Sequence, residues 1–179
     1  MNVAIDTSSL LSLVRYYLPF DKNNILHGYI KERIESKDIL ILDKVYEESK
    51  YTAKGIITSK LDYLKDKKHI IKTDDLLPDQ KFFNQLENQF INKSVRNKLS
   101  DVEFENRKND YLELADAKLL LYSLKHREDN IVIVSEETDS SNDNKSFKKL
   151  PAICKILKLD ILTLPQLLDQ YKEIDFEFK

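Results

Sequence analysis

The sequence has 179 residues, of which 41% are hydrophobic and 34% charged, and its formal net charge is −2. This length suits one domain with a sizeable core, and the near-neutral charge excludes a protein that binds nucleic acids through overall positive charge alone. One cysteine excludes an internal disulfide, and no apolar run approaches the roughly 20 residues that span a bilayer, so we expect a cytoplasmic protein with no membrane partner.

The first 55 residues predict two strands and three helices. The strands are short apolar runs that end at an acid, whereas the helices carry apolar residues at helical spacing. The predicted ranges are strand 2–5, helix 9–17, helix 24–35, strand 39–42 and helix 44–53. Thr7, Ser8 and Ser9 are the candidate N-caps of the first helix, and Gly55 is the expected stop of the third.

The middle of the chain is strongly polar and mostly helical in pattern. Pro78 is the predicted start of a long helix that reaches about Leu99, and Ile70 and Ile71 form a short extended piece. No Gly/Ser linker marks a domain boundary. We therefore expect one domain over 1–179, with a helical insertion at approximately 55–105.

The last third of the chain returns to an alternating pattern. The predicted ranges are helix 113–126, strand 131–135, polar loop 136–149, helix 151–157, strand 160–164 and a final helix that Pro165 opens. Cys154 lies among apolar residues and is predicted to be buried. The alternation predicts a three-layer α/β/α fold around a mainly parallel sheet of four to five strands.

Acidic residues follow each of three predicted strands. Ligand sites of open α/β sheets lie beyond the carboxyl ends of the strands, so these acids are candidates for one site. A further acid, Asp116, lies at a mostly apolar helical position, where a charge needs a partner. The strand-end acids are Asp6, Asp43, Glu47, Glu48, Glu136, Glu137 and Asp139.

Several carboxylates in one cleft would repel one another. At about 4 Å and an effective dielectric near 20, each ionised pair costs on the order of 4 kcal/mol. The cluster must therefore raise its pKa values or bind a hard divalent cation. Oxygen ligands without a histidine or cysteine cluster favour Mg²⁺ or Mn²⁺ over zinc, and these ions suit phosphoryl chemistry.

Each acid also has a structural interpretation. Asp6 can cap the first helix, as Asp43 can cap the third. Asp116 can pair with Lys118. One of Glu47 and Glu48 is expected on an exposed helical face, and most of the acids after the third strand are expected to be loop residues. The metal-site hypothesis therefore rests on the joint pattern and on no single position.

The order of these motifs resembles the PIN-domain family, and within it the PIN-like toxins related to the VapC type. The matching segments are VAIDTSSLL, DKVYEESK, LADAKLLLYSL, IVIVSEE and the tail KLPAICKILKLDILTLPQLL. The first resembles the family's opening strand with its Asp-Thr-Ser signature. The fourth resembles its last acidic motif, in which Ser or Thr lies two positions before an acid.

The resemblance implies a ribonuclease site built from four catalytic and metal-binding acids. It implies that one or two Mg²⁺ or Mn²⁺ ions are held there and activate the water that cleaves an RNA phosphodiester bond. The implied acids are Asp6, Glu48, Asp116 and Glu137, with Ser8 and Ser135 as supporting residues and Glu47, Glu136 and Asp139 as fallbacks.

The resemblance also implies partners. These are an RNA substrate, a protein antitoxin of a type II toxin–antitoxin pair, and a second copy of the chain in a possible homodimer. Lys145, Lys148 and Lys149 are candidates to hold the RNA backbone, although a solvated face explains such a cluster equally well. Two alternatives remain open: a DNA-directed nuclease of the same fold, and a non-catalytic PIN-like module that binds nucleic acid or protein.

Overall fold

Strands and helices alternate along the chain, as the sequence predicts. The computed structural model describes residues 1–139 and 145–172. Its strands are β1 Val3–Ile5, β2 Ile39–Leu42, β3 Ile70–Ile71, β4 Val132–Val134 and β5 Ile161–Leu162. Its α-helices are α1 Thr7–Ser12, α2 Ile25–Glu35, α3 Asp43–Ser49, α4 Ile56–Lys60, α5 Gln80–Gln85, α6 Lys93–Arg96, α7 Asp101–Leu112, α8 Ala115–Lys125, α9 Leu150–Leu157 and α10 Leu164–Gln170.

The five strands form one parallel sheet in the order β3-β2-β1-β4-β5. Val3 of β1 pairs with Ile39 on one side and Val132 on the other. Helices flank the sheet, which confirms the predicted α/β class and its three layers. Because the chain builds outward from β1 first through β2 and β3 and later through β4 and β5, the order reverses between β1 and β4. Such a switch point is where ligands bind in open α/β sheets.

The core forms around the three central strands. Every residue of β1, β2 and β4 is buried, which explains why each is a continuous apolar run. The edge strands β3 and β5 are only partly buried. Cys154 on α9 is fully buried, which confirms the prediction made for it. Within the described residues, no helix is long and apolar enough to cross a membrane.

The single long helix predicted from Pro78 to about Leu99 is wrong. Helix α5 begins after Asp79, whose carboxylate accepts a hydrogen bond from the Phe82 backbone N–H at 2.7 Å. The helix continues as a π-helical turn, Leu86–Phe90, and then stops. Ile91 leaves it to form an antiparallel bridge with Phe147. This contact joins segments far apart in the chain, so local periodicity could not indicate it.

The region of the predicted insertion, 55–105, contains an extended piece as well as helices. Ile70 and Ile71 form β3, as their extended pattern predicted, and this strand pairs with Ile41 and Leu42 of β2. This part of the chain therefore supplies an edge of the main sheet.

Two helix boundaries near the strand ends differ from the predictions. Helix α1 begins at Thr7, because its N-cap is Asp6 and not one of the three residues that follow. Helix α3 ends at Ser49 and not at the predicted Ala53, where positive φ angles at Ala53 and Lys54 are incompatible with a helix. Gly55 also has a positive φ, and a Cβ there would lie 2.8 Å from the Lys50 carbonyl oxygen, so only glycine fits this turn.

The predicted polar loop at 136–149 is described in part. Residues 136–139 and 145–149 are irregular apart from the bridge at Phe147. The central residues 140–144 of that prediction lie outside the described residues.

Candidate functional site

A cleft of about 560 Å³ opens at the carboxyl ends of the central strands. It gathers acids from four separate elements, and all four of the acids proposed from the sequence are among its lining residues. The lining residues are Asp6, Thr7, Ser8, Leu11, Lys44, Glu47, Glu48, Tyr51, Thr52, Glu113, Leu114, Ala115, Asp116, Glu137 and Lys145. We refer to this cleft as the acid cleft.

Asp6 lies at the centre of a hydrogen-bond network, and only 4% of its surface is exposed. One carboxylate oxygen accepts the Thr7 backbone N–H at 2.7 Å. The other accepts the hydroxyls of Ser8 at 2.6 Å and Ser135 at 2.9 Å. Burial raises the pKa of Asp6, the two serine hydrogen bonds oppose that rise, and the charge of Glu48 adds to it. Asp6 therefore both caps α1 and faces the cleft.

Glu48 lies on α3 and reaches the cleft through Thr7. The Thr7 hydroxyl donates a hydrogen bond to the Glu48 carboxylate at 2.7 Å, while the Thr7 backbone N–H binds Asp6. Thr7 thus links two of the proposed acids. The fallback Glu47 also lines the cleft, but its carboxylate lies 3.8 Å from the Lys44 ammonium.

Asp116 lies in the first turn of α8 and is partly buried. Its pKa is raised to about 7, first by burial and then by the charges of Asp6, Glu137 and Glu48, whereas Lys145 lowers it. The alternative pairing with Lys118 does not occur, since the Lys118 ammonium lies 3.4 Å from Glu113. The negative charges of the other three proposed acids thus contribute to the raised pKa of Asp116.

Glu137 follows β4 and is held on both sides. One carboxylate oxygen accepts the Leu150 backbone N–H at 3.0 Å, and the other lies 3.8 Å from the Lys145 ammonium. The Glu137 backbone N–H donates to the Ser135 hydroxyl at 3.2 Å. That hydroxyl lies 3.2 Å from Ser8, so the two supporting serines join the acids that follow β1 and β4.

The remaining strand-end acids do not line the cleft. The Glu136 carboxylate accepts the backbone N–H of Leu164 at the start of α10. Asp139 is exposed. Asp43 accepts hydrogen bonds from the Lys44 backbone and from both the backbone and hydroxyl of Thr73, so it joins β2 to the segment after β3.

The candidate RNA-binding lysines lie beside the acid cleft. Lys145 lines it directly, whereas Lys148 and Lys149 line a neighbouring cleft. The Lys148 ammonium donates to the Gln89 carbonyl at 2.7 Å, so this side chain is anchored and not simply a solvated surface group.

Comparison with known protein families adds one result. Residues 3–174 match the family model described as Domain of unknown function (DUF4411). The chain belongs to this family. No match to a curated protein was found. The matched range contains all four acids, so the acid cleft lies entirely within the DUF4411 domain.

Three polar residues of this DUF4411 site were not proposed from the sequence. Thr7 was considered only as a helix cap, although it bridges Asp6 and Glu48. Lys44 and Glu113 form an ion pair of 3.2 Å at the cleft wall. The Asp-Thr-Ser run contained Thr7, but nothing in the sequence indicated which acid its hydroxyl would meet. The Lys44–Glu113 contact depends on how α3 packs against α8.

The acid cleft offers carboxylate oxygens, which are the ligand type that hard divalent cations take. All four proposed ligands are carboxylates, and burial, with a further contribution from the charges of neighbouring acids, raises the pKa of both Asp6 and Asp116. Across residues 1–139 and 145–172, no three acidic, histidine or cysteine side chains are arranged to hold a metal ion as they stand. One oxygen of Glu48 accepts a hydrogen bond from Thr7 and one oxygen of Glu137 accepts a hydrogen bond from Leu150, so each carboxylate has a partner on one oxygen.

Proposed function

We propose that this DUF4411 chain is a metal-dependent endoribonuclease that hydrolyses RNA phosphodiester bonds in the acid cleft. One observation carries the proposal: Asp6, Glu48, Asp116 and Glu137 come from four separate elements and line one cleft at the switch point of a parallel sheet. This set of acids and supporting serines agrees with the resemblance of the sequence to PIN-like toxins.

The electrostatics of the cleft support a cationic cofactor. If the four acids were only surface charges, each would be exposed and would keep an ordinary pKa. Instead, the pKa of Asp116 is raised to about 7 by burial and by the charges of the three other acids. When bound, Mg²⁺ or Mn²⁺ would supply the positive charge that activates water and offsets the charge of the scissile phosphate. Asp6, Glu48, Asp116 and Glu137 would hold it.

The polar residues around Asp6 have a positioning role in this proposal. Ser8 and Ser135 donate to the same carboxylate oxygen and fix its orientation, which leaves the carboxylate preorganised before any ligand arrives. Without a cation, burial and the neighbouring acids raise the pKa of Asp116 to about 7, and a bound cation would favour its ionised form.

The biological setting that we propose follows from the resemblance. The chain would act in the cytoplasm as the toxin of a type II toxin–antitoxin pair, silenced by a protein antitoxin, and could form a homodimer. Lys145, Lys148 and Lys149 would contact the RNA backbone beside the acid cleft.

Cleavage of matched single-stranded RNA and DNA oligonucleotides tests the proposal. We expect the wild-type chain to cut RNA in Mn²⁺, to be inactive in chelator, and to lose at least about 100-fold of its rate, near 2.7 kcal/mol, in Asp6→Asn. Asp74→Asn, at an exposed position, is the matched control.

The other outcomes identify the alternatives. Cleavage of DNA alone would support a DNA-directed nuclease. If wild type and Asp6→Asn bind the oligonucleotides equally well and neither protein cuts RNA or DNA, the chain is a non-catalytic module and the proposed activity is refuted.

A further inference from the structure

A second cleft, of about 340 Å³, adjoins the acid cleft. The two clefts share Leu114, Asp116 and Lys145, so a linear polymer bound in one cleft can continue into the other. The second cleft is lined by Arg107, Asp110, Tyr111, Leu114, Asp116, Lys145, Ser146, Phe147, Lys148 and Lys149. We refer to it as the basic cleft.

The two clefts have opposite charge. Acidic residues outnumber basic ones along the acid cleft, whereas four basic and two acidic residues line the basic cleft. One basic residue, Lys145, extends towards the acids and lies 3.8 Å from Glu137. A nucleic-acid strand suits both clefts because it carries successive phosphates. One phosphate can meet the basic residues while its neighbour meets a cation held by the acids.

The basic residues lie on a segment that is built into the fold. The backbone N–H of Asn92 donates to the Ser146 carbonyl at 2.8 Å, and its side-chain amide donates to the Lys145 carbonyl at 2.7 Å. The backbone N–H of Lys148 donates to the Phe90 carbonyl at 2.8 Å. These bonds fix 145–148 against the end of the α5 π-helical turn, so the cationic wall is preorganised.

Helix α7 supplies further lining residues of the basic cleft. Ser100 and Glu103 form a capping box at its start, which stabilises a helix that is otherwise strongly polar. Arg107 and Tyr111 lie four residues apart and so on one face. The Arg107 guanidinium donates to the Ser146 hydroxyl at 2.7 Å, and the Tyr111 ring lies 4.5 Å from that of Phe147. The Arg107 side chain therefore lines the basic cleft with its guanidinium anchored to Ser146.

Tyr111 provides an independent sign that the basic cleft is a binding site. Its side chain is 5% exposed, and its hydroxyl has no hydrogen-bond partner within the described residues. A buried hydroxyl without a partner costs free energy, and because Tyr111 lines the basic cleft, a ligand bound there can accept its hydrogen bond. Its position beside Asp116, the residue that the two clefts share, places this donor at their junction.

We propose that the basic cleft binds the phosphate next to the one that is cut in a single-stranded nucleic acid. The proposal rests on the nuclease function of the acid cleft and adds a defined subsite to it. Arg107 is its principal ligand, and the α7 segment, which has no role in the acid cluster, serves as a wall that positions the substrate.

Binding of a labelled RNA oligonucleotide, measured by fluorescence anisotropy in chelator so that no cleavage occurs, tests the subsite directly. We expect Arg107→Gln to raise Kd about fivefold and to lower the slope of log Kd against log salt by about 0.7, the value for one phosphate contact on a single strand. Arg107→Lys should lie between the two. Lys81→Gln, an equal charge change at an exposed position on α5, is the control.

Cleavage of oligonucleotides with a neutral methylphosphonate at single positions locates the contact. In wild type, we expect the substitution next to the cut to slow cleavage about tenfold, whereas in Arg107→Gln it should cause no further loss. If Arg107→Gln binds RNA with the Kd and salt slope of wild type, and wild type cuts RNA, the subsite proposal is overturned while the nuclease proposal stands. Absence of cleavage by wild type, with Arg107-dependent binding retained, would refute the nuclease function and leave a phosphate site.

Discussion

Ser8 and Ser9 are adjacent in sequence but differ in their hydrogen bonds, and only Ser8 contacts a proposed acid of the cleft. The Ser8 hydroxyl donates to Asp6 at 2.6 Å and accepts the Glu136 backbone N–H at 3.0 Å. The Ser9 hydroxyl is fully buried and has no hydrogen-bond partner within the described residues. The sequence singled out Ser8 through its resemblance to a known motif, but it treated both serines alike as helix caps. Only the three-dimensional contacts separate their roles.

These serines lead to a matched pair of variants. We expect Ser8→Ala to weaken Mn²⁺ binding about tenfold, the usual effect of removing a hydrogen bond that orients a ligand carboxylate. Ser9→Ala should leave Mn²⁺ affinity unchanged and should not lower the free energy of unfolding, because it removes a buried hydroxyl that has no partner. Calorimetric titration and urea unfolding measure both. Equal affinities in the two variants would exclude an orienting role for Ser8.

The raised pKa of Asp116 predicts a pH dependence of stability in metal-free protein. Between its ordinary pKa of 3.8 and its folded pKa of about 7, the folded chain retains a proton that the unfolded chain has released. The free energy of unfolding should therefore fall as pH rises from about 4 to about 7, by at most roughly 4 kcal/mol, and level off above that.

Urea unfolding in chelator across this pH range measures the effect. Asp116→Asn cannot ionise, so we expect its unfolding free energy to fall less with pH and to exceed that of wild type above pH 7. Asp6 contributes in the same direction, since its pKa is also raised, and a residual slope should remain. Parallel curves for wild type and Asp116→Asn would show that the pKa of Asp116 is not raised in the folded chain.

At the scale of elements, the sequence was most informative where one face or both faces of an element are buried. The strand predicted at 39–42 has those bounds in the structure, where all four residues of the apolar run are buried between the neighbouring strands β1 and β3. The helix predicted from Pro78 failed for the opposite reason. Its end at Ile91 is set by pairing with Phe147, a contact that no local pattern records.

Asp43 provides a test of how the elements around the site are held together. Its carboxylate accepts the Thr73 hydroxyl at 2.6 Å and the Thr73 backbone N–H at 3.1 Å, and Thr73 is fully buried. We expect Asp43→Ala to lower the free energy of unfolding by about 2–4 kcal/mol, since it leaves both donors buried and unpaired. Asp43→Asn, which keeps one acceptor, should lose less.

Chemical denaturation compares these variants with Asp74→Asn, whose side chain is exposed and next to Thr73 in sequence. The Mn²⁺ affinity of Asp43→Asn should equal that of wild type, because Asp43 does not line the acid cleft. A large loss of affinity without a loss of stability would contradict the structural role given to Asp43.

At the scale of the whole molecule, a formal net charge of −2 conceals two adjacent clefts of opposite sign. Three of the four acids were predictable because they follow strands, whose ends the topology of a parallel sheet brings together, and Asp116 because it is an acid at a mostly apolar helical position. Arg107 was not predictable, because it lies in a polar helical segment with no distinguishing pattern. Its position depends on the hydrogen bonds that hold 145–148 against the rest of the fold.

Mn²⁺ binding to wild type and to four single variants, measured by calorimetry, tests most directly whether the acids act as one cation site. The variants are Asp6→Asn, Glu48→Gln, Asp116→Asn and Glu137→Gln, and Glu32→Gln, an exposed position on α2, is the control. We expect each of the four to weaken binding at least about tenfold while Glu32→Gln binds as wild type does. If wild type releases no heat with Mn²⁺, or if Glu48→Gln and Glu137→Gln bind it unchanged, the four acids do not form a metal centre.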